Sequence, residues 1–327
     1  MIDTVAAGGV LLCAGFFLYA YVGYPALLKL LTSVRGRYEI AAEDPQEWPL
    51  VSISLPAYNE EDVIGDTLEN LLSLEYPEDR LQIVVVSDAS TDRTDEIVRS
   101  YRDRGVELVR LEGRAGKTAA ENAAVPHLLG DIVVNTDAST RIVPGSLRPL
   151  VRTFEDPSVG VASGRDRSVG AGDGDPLRGE SRYVGYEMAV RDLETGFGTL
   201  VGASGCLYAA RRELHKELVP EELSRDFIAA LHAREKGYRA VSVPDAEAVV
   251  PRAASLGAEF RRKVRTMARG LDSLWFKREM LDPFRYGRFA WMLASHKLAR
   301  WMVPATLPWA LVGLGAAVLL LAYGSVA

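Results

Sequence analysis

Two uncharged, strongly apolar stretches lie at opposite ends of the chain and limit what it can fold into. No charged residue occurs from Thr4 to Leu28 or from Trp301 to Ala327. Each stretch is longer than the ~20 residues with which a helix crosses ~30 Å of hydrocarbon. The sequence therefore predicts transmembrane helices over residues 1–31 and 302–327, with a polar region between them.

The charges that flank the first stretch predict on which side of a membrane the polar region lies. Only Asp3 precedes the stretch, so the basic start of a signal peptide is missing, and the stretch is also longer than the apolar part of one. Lys29, Arg35 and Arg37 follow it, and basic flanking residues stay on the cytoplasmic side. We therefore expect a multi-pass protein of the cell membrane whose central domain is cytoplasmic.

Composition and missing motifs exclude several classes of protein. The net charge of −6 disfavours nucleic-acid binding, which needs a basic surface. Cys13 and Cys206 have the spacing of neither a metal site nor a disulfide framework, which suits a reducing compartment. Gly116 and Lys117 hint at a P-loop, but Leu111 stands where its first glycine is needed. No Gly-x-Gly-x-x-Gly follows the first predicted strand, which disfavours a dehydrogenase.

Short apolar runs alternate with helical patterns after a polar linker over residues 32–49. The predicted strands span residues 51–55, 82–86, 106–111 and 132–135, and the predicted helices 61–74, 91–101 and 117–128. Beyond them we expect a loop at 164–180, helices at 177–193 and 223–236, and short strands at 239–243 and 246–250. This alternation predicts an α/β domain over residues 50–255 with a mostly parallel sheet flanked by helices.

Polar residues follow three of the predicted strands. Tyr58, Asn59 and Glu60 come after the first strand, Asp88 after the second and Asp137 after the fourth. Asp and Asn favour turns in any case, which would explain one such residue but explains three strands less well. Since ligands of parallel sheets bind outside the carboxyl ends of the strands, we expect a binding site at this edge.

A series of short motifs carries a resemblance to a known family. In chain order they are Pro56-Ala57-Tyr58-Asn59-Glu60, Asp88-Ala89-Ser90-Thr91-Asp92, Gly116-Lys117 with Asn122, Thr136-Asp137-Ala138-Ser139, Gly202-Ala203-Ser204-Gly205 and Arg225-Asp226. Their order and spacing resemble the membrane-bound glycosyltransferases of family 2. The resemblance covers roughly residues 50–280 and implies a GT-A fold and an inverting transfer of a sugar.

The resemblance also implies how a nucleotide-sugar donor, expected to be a UDP-sugar, would be bound. Its donor-binding residues would be Pro56, Ala57, Tyr58, Asn59, Glu60, Asp88, Lys117 and Asp137. Asp88 would accept hydrogen bonds from the uracil or ribose, and Lys117, if it is not simply an exposed helix lysine, would neutralise the diphosphate. Asp137 would bind Mg²⁺ or Mn²⁺ at the diphosphate oxygens. The family's second metal-binding aspartate is Ser139 here, a poorer ligand, so dependence on a metal stays open.

On the acceptor side, the resemblance assigns the general base to Asp226, because the attacking hydroxyl must lose a proton. The preceding residue is usually acidic, but here it is Arg225. The segment with Gly202, Ser204 and Gly205 would line the acceptor site, as would Arg262 and Arg265.

Basic residues alternate with aromatic ones over residues 256–301, a pattern typical of interfacial amphipathic helices, although a helix packed on the domain gives the same pattern. Processive family members carry Gln-x-x-Arg-Trp in this segment. The nearest match, residues 262–266, lacks both the glutamine and the tryptophan. We therefore expect transfer of a single sugar to a lipid or lipid-linked acceptor. A processive polysaccharide synthase of the hyaluronan or cellulose synthase type is the alternative, and a catalytically inactive membrane scaffold would fit Ser139 and Arg225. The sequence does not determine the oligomeric state.

Overall fold

The chain forms two compact units. Met1–Gly36 and Lys277–Ala327 make up the terminal unit, and Arg37–Phe276 make up the central unit. The computed structural model describes residues 2–38, 43–168, 178–250 and 255–324.

A mixed β-sheet runs through the central unit. Its strands are β1 (Val51–Ala57), β2 (Leu81–Ser87), β3 (Val106–Arg110), β4 (Ile132–Thr136), β5 (Arg141–Ile142), β6 (Val159–Ser168), β7 (Leu207–Arg211) and β8 (Arg239–Val250). They are ordered β3-β2-β1-β4-β7-β6-β8-β5. The first four strands are mutually parallel, whereas β7 pairs antiparallel with both β4 and β6. β8 pairs parallel with β6 and antiparallel with β5.

Helices surround this sheet and form the terminal unit. In chain order they are α1 (Ile2–Leu18), α2 (Tyr24–Arg35), α3 (Ile64–Leu72), α4 (Thr94–Ser100), α5 (Lys117–Ala124), α6 (Leu147–Arg152), α7 (Arg178–Phe197), α8 (Arg212–His215), α9 (Arg225–Glu235), α10 (Leu256–Phe276), α11 (Pro283–Tyr286), α12 (Arg288–Leu293) and α13 (Ala299–Gly324).

Both faces of the sheet are covered, as parallel strands require. Every residue of β1 and β4 is buried. Leu68 of α3 and Leu147 of α6 belong to one apolar cluster with Ile53 of β1. Ala120 of α5 belongs to another cluster, with Val84 of β2. The second cluster fixes α5 beneath the sheet, with the beginning of the helix beside the carboxyl ends of β1 and β2.

The structure corrects the predicted arrangement of strands in the second half of the unit. The prediction of a loop at 164–180 is wrong for its first residues, because β6 continues to Ser168. Residues 169–177 lie outside the described residues. The two short strands expected at 239–243 and 246–250 are one strand, β8. β8 pairs with β6 along most of its length, and the register of this pairing shifts at two points. The sheet is also less parallel than predicted, because β7 inserts between β4 and β6 in the opposite direction.

Predicted helices are shorter in the structure where polar turns come first. The helix expected from residue 61 begins at Ile64, because the carbonyl of Glu60 accepts hydrogen bonds from the amides of Val63 and Ile64 at 3.0 and 2.8 Å. The helix expected from residue 91 begins at Thr94, whose amide donates to Asp92 Oδ1 at 3.0 Å.

In the terminal unit, α1 packs against α13. Cys13 Sγ donates to the carbonyl of Thr306 at 3.3 Å. The hydroxyl of Tyr19 lies 2.7 Å from Ser295 Oγ and accepts a hydrogen bond from Trp291 Nε1 at 3.0 Å. Among the described residues, one helical stretch, Val10–Arg35, is by length and composition apolar enough to cross a membrane. The second expected span is helical to Gly324, and its crossing of a membrane stays a prediction.

Candidate active site

The loops after β1 and β2 are tied to each other by hydrogen bonds. Asn59 Oδ1 accepts from the amide of Thr91 at 2.9 Å, and the amide of Glu60 donates to Thr94 Oγ1 at 2.8 Å. Asn59 and Ala89 have φ angles of 53° and 56°, a left-handed conformation that residues other than glycine rarely adopt. Strained backbone of this kind clusters at functional sites, which supports the predicted site at this edge of the sheet.

Asp88 holds a third loop against the first two. Its two carboxylate oxygens accept hydrogen bonds from the amides of Ala115 and Gly116 at 2.7 and 2.8 Å. Gly116 has a φ of +98°, which favours glycine at this position. The buried carboxylate of Asp88 therefore fixes the backbone just before Lys117. Its predicted contact with a nucleotide stays a prediction.

The remaining residues of the predicted donor loop differ in exposure. Pro56 and Ala57 are buried at the end of β1, so they lie beneath the surface of the candidate site. Tyr58 is half-buried, and the guanidinium of Arg114 lies 3.9 Å from the centre of its ring. This contact is short enough for a cation–π interaction. Arg114 was not identified from the sequence.

Lys117 contacts residues from both the predicted donor side and the predicted acceptor side. Its ammonium lies 2.5 Å from Asp137 Oδ1 and donates a hydrogen bond to the carbonyl of Gly205 at 3.0 Å. Asp226 Oδ2 lies 3.2 Å from the place where a side-chain carbon on Gly205 would stand. The structure thus brings four of the predicted site residues together: Lys117, Asp137, Gly205 and Asp226.

The charges around Lys117 are strongly coupled. Burial lowers the pKa of Lys117, but Asp137, Glu121 and Asp226 outweigh burial and hold this pKa well above its usual value. Glu121 lies one helical turn further along α5 and is only 2% exposed. Burial raises the pKa of Glu121 to about 7, although Lys117 and Arg225 lower it. Glu121 is therefore an acid that changes protonation near neutral pH at the back of the site.

Two further acids make the site strongly acidic. The pKa of Glu60 is raised by burial and by the charges of Asp137 and Asp92. The pKa of Asp166 on β6 is raised mainly by burial, even though Arg191 lowers it. Carboxyl groups that perturb one another at one edge of a sheet are typical of a catalytic or binding site.

The predicted acceptor-side segment is anchored through Ser204. Ser204 is fully buried, and its hydroxyl donates to Asp166 Oδ1 at 2.5 Å. Its amide donates to Ser163 Oγ at 2.8 Å. Gly202 is buried in the same segment, and Gly205 leaves the room that Asp226 occupies. These hydrogen bonds fix the segment against β6. Its contact with an acceptor stays a prediction.

The predicted arginines lie elsewhere. Arg225 is buried, and its guanidinium donates to the carbonyl of His215 at 3.0 Å and to Asn122 Oδ1 at 2.7 Å. Arg262 pairs with Glu259 of its own helix at 2.7 Å, and Arg265 is exposed. The structure therefore gives neither Arg262 nor Arg265 a contact with Lys117, Asp137 or Asp226 among the residues it describes.

The protein atoms near Asp137 determine how a divalent ion would be held. The described parts of the chain contain no group of three or more His, Cys, Asp or Glu side chains arranged for a metal. Asp137 already pairs with Lys117, and Ser139 beside it is half-buried. Mg²⁺ is commonly held by one or two carboxylates together with substrate phosphates and water. Asp137 could serve as the single carboxylate of such a site, in which oxygens of a bound donor would complete the coordination.

Glu121, Asp166 and Arg114 were not identified from the sequence, although all three lie close to predicted site residues. For Glu121 a signal existed, since residues four apart on a helix share a face and Lys117 was already singled out. For Asp166 and Arg114 we find no such signal, because they approach the site only through pairing of strands and packing of loops.

Several curated relatives of this chain are described as glycosyltransferases or as synthases of glycosylated products. An N-acetylglucosaminyltransferase of Rhizobium sp. (strain N33) is 26% identical over 277 residues, which cover 77% of this chain and 59% of the relative. A beta-monoglucosyldiacylglycerol synthase of Synechocystis sp. is 36% identical over 118 residues, 35% of this chain and 25% of the relative. The chain thus matches between about a quarter and three-fifths of the length of these two relatives.

A solved structure is similar over the whole chain. The mannosyltransferase PcManGT from Pyrobaculum calidifontis, in complex with GDP-Man and Mn²⁺, is 26% identical, with a TM-score of 0.80. The similarity covers 100% of this chain and 92% of the mannosyltransferase. The expected GT-A-type α/β fold is thereby confirmed.

The family model described as "Glycosyl transferase family 2" matches residues 52–219, just over half of the chain. The matched segment includes β2, β4 and all of β1 except Val51, at whose carboxyl ends the candidate site lies. It also includes Lys117, Asp137 and Gly205. The chain belongs to glycosyl transferase family 2.

Proposed function

We propose that this chain is an inverting glycosyltransferase that moves a sugar from a nucleotide-sugar, expected to be a UDP-sugar, to a lipid or lipid-linked acceptor at the inner face of a membrane. The observation that carries the proposal is the cluster at the carboxyl edge of the sheet. There, Lys117 contacts Asp137 and the carbonyl of Gly205, and the carboxylate of Asp226 lies next to Gly205.

Asp226 would take the proton in this reaction. An acceptor hydroxyl that donates to Asp226 would lose its proton to the carboxylate as its oxygen attacks the anomeric carbon. The bond from that carbon to the diphosphate breaks, and the leaving nucleoside diphosphate keeps the electron pair. Gly205 has no side chain to separate Asp226 from the region around Lys117, which allows both partners of the reaction to approach.

Lys117 would stabilise the charge that develops on the leaving diphosphate. Its ammonium is fixed by Asp137 and by the carbonyl of Gly205, so little reorganisation is needed during the reaction. When a divalent ion is bound, Asp137 would be its protein ligand, and the ion would neutralise further phosphate charge. The similar mannosyltransferase, whose structure is a complex with GDP-Man and Mn²⁺, supports this assignment.

The outer face of α10 supports a role at a lipid surface. Phe260 is 69% exposed, Val264 is exposed, and Trp275 is 70% exposed. Basic residues such as Arg261 and Arg265 are also exposed along the helix. Exposed aromatic and basic side chains together favour binding to anionic lipid head groups. The relative described as a beta-monoglucosyldiacylglycerol synthase points to the same class of acceptor.

Donor turnover with a panel of labelled nucleotide-sugars tests the proposal. Membranes that contain the wild-type chain should transfer sugar from one UDP- or GDP-sugar to a lipid-extractable product. Asp226→Asn should abolish transfer while donor binding persists, because it removes the proton acceptor and keeps the shape. Asp245→Asn, a change at an exposed position of β8, is the matched control and should leave transfer unchanged.

The product distinguishes the alternatives. A single added sugar supports a single transfer, whereas a ladder of lengths would support the processive alternative, for which relatives described as poly-beta-1,6-N-acetyl-D-glucosamine synthases provide a precedent. No turnover of any donor by the wild-type chain, despite tight binding of a nucleoside diphosphate, would favour the inactive scaffold.

A further inference from the structure

The second half of α10 is docked onto the active site. Ser273 is fully buried, and its hydroxyl accepts a hydrogen bond from the amide of Ser224 at 3.0 Å. Ser224 lies two residues before Asp226. The same hydroxyl donates to the carbonyl of Arg269 at 2.8 Å. Since Arg269 and Ser273 are four residues apart, they share a helix face, and this face points into the central unit.

Arg269 reaches the loop that Asp88 holds in place. Its Nη2 atom lies 3.8 Å from the position that a side-chain carbon on Gly116 would occupy. The next residue is Lys117, whose ammonium contacts Asp137. The guanidinium therefore lies beside the predicted diphosphate site, at the beginning of α5.

This guanidinium has no protein partner among the described residues, although several arginines of the central unit do. Arg225 donates to a carbonyl and a side-chain amide, and Arg262 pairs with Glu259. Arg269 is half-buried, and the structure gives its guanidinium neither a carboxylate within 4.0 Å nor a hydrogen-bond acceptor within the described parts of the chain. A partly desolvated cation of this kind is favourable where an anion binds.

We propose that Arg269, which lies beside the loop at Gly116, binds the diphosphate of the donor nucleotide. This assignment rests on the proposed function. A guanidinium is always charged and presents a planar pair of donors that match two phosphate oxygens. Lys117 acts beside it as a point charge and is already shared with Asp137, whereas Arg269 has its full set of side-chain donors for the ligand.

A lipid head group is the competing partner for an arginine of α10, and the geometry disfavours it. Phe260 and Val264, four residues apart, expose one face of the helix. Arg269 is five residues beyond Val264, which at 100° per residue places it about 140° around the helix from that face. Arg269 therefore faces the sheet edge while the apolar side chains face outward.

Calorimetric titration of the full-length chain in detergent with a nucleoside, its monophosphate and its diphosphate tests the assignment. Both the uridine and the guanosine series are used, because the base is not fixed. Arg269→Gln should weaken diphosphate binding roughly 10- to 100-fold, the range expected for losing a charged hydrogen bond, and leave nucleoside binding unchanged. Arg269→Lys should restore part of the affinity. Arg261→Gln, an exposed arginine of the same helix, is the matched control and should bind like the wild type.

Three results would overturn the assignment. One is equal diphosphate affinity of Arg269→Gln and the wild type. A second is an equal loss for nucleoside and diphosphate, which would mean that the loop at Gly116 had moved. The third is unchanged nucleotide binding with weaker binding of Arg269→Gln to anionic phosphatidylglycerol vesicles, which would assign the residue to lipid. If the wild type itself binds no diphosphate of either series, the proposed function fails first, and the assignment falls with it.

Discussion

Replacing Glu121 by glutamine should make the stability of the protein less dependent on pH. Glu121 is a buried acid on α5, and the described residues offer no hydrogen bond to its carboxyl oxygens. Burial raises its pKa from 4.5 to about 7 in the folded protein. The folded state therefore binds this proton more tightly than the unfolded state does. The contribution to stability is fully present below about pH 4.5 and is lost as the pH rises to about 7.

The pKa values set the size of the effect. A shift of about 2.5 units, at ~1.4 kcal/mol per unit, corresponds to about 3 kcal/mol between the two limits of pH. When the pH rises from about 5 to about 8.5, ionisation of Glu121 should lower the free energy of unfolding of the wild type by about 2–3 kcal/mol. The neutral amide of Glu121→Gln does not ionise. For a unit of this size, the Tm of the variant relative to wild type should rise by roughly 4–12 °C over that interval.

Thermal unfolding of both proteins in the same detergent, followed by tryptophan fluorescence across this pH range, measures the difference. Glu78→Gln, at an exposed position before β2, is the control and should show no such trend. The reasoning is refuted if the difference in Tm between Glu121→Gln and wild type is constant from acid to alkaline pH. A constant difference would mean that Glu121 keeps the same charge throughout.

Two further outcomes follow from close contacts in the central unit. Gly130→Ala should destabilise the protein by about 1–3 kcal/mol in denaturant titrations, because the added carbon would lie 2.4 Å from the amide nitrogen of Ser52; Gly65→Ala, whose nearest contacts are at 3.8 Å, should be close to neutral. Lys117→Gln should weaken binding of a nucleoside diphosphate about tenfold or more, since it removes the cation beside Asp137, whereas Lys216→Gln at an exposed position should not. Equal affinities of the two lysine variants would contradict the role given to Lys117.

The edge of the sheet could be predicted because it depends on local patterns. Apolar runs that end in polar residues identify the carboxyl ends of β1, β2 and β4, and parallel pairing then places Asp88 and Asp137 along one edge. The residue that follows a strand is determined by the sequence alone. The position of Asp88 near Asp137 could therefore be predicted once the directions of β1, β2 and β4 were correct.

The other parts of the site depend on contacts between distant segments. An apolar run does not specify the direction of its partner, so the antiparallel pairing of β7 with β4, which brings Gly205 to Lys117, is not visible in the sequence. The same holds for α10. Its many basic residues are equivalent in the sequence, and only the burial of Ser273 against Ser224 decides that Arg269, rather than Arg262 or Arg265, faces the site.

The charges at the edge of the sheet predict that Lys117 alone would bind a diphosphate poorly. Lys117 is surrounded by Asp137, Glu121 and Asp226, and its ammonium already contacts the first of them. A diphosphate that enters must therefore compete with a carboxylate for this ammonium and is repelled by the acids around it. A second positive charge that is not held by a protein carboxylate removes that conflict. The guanidinium of Arg269 meets this condition, whereas a divalent ion at Asp137 would be held by a carboxylate but would bring one more positive charge than that carboxylate cancels. Since the ion is exchangeable and the arginine permanent, diphosphate binding should weaken without the ion but persist as long as Arg269 is present.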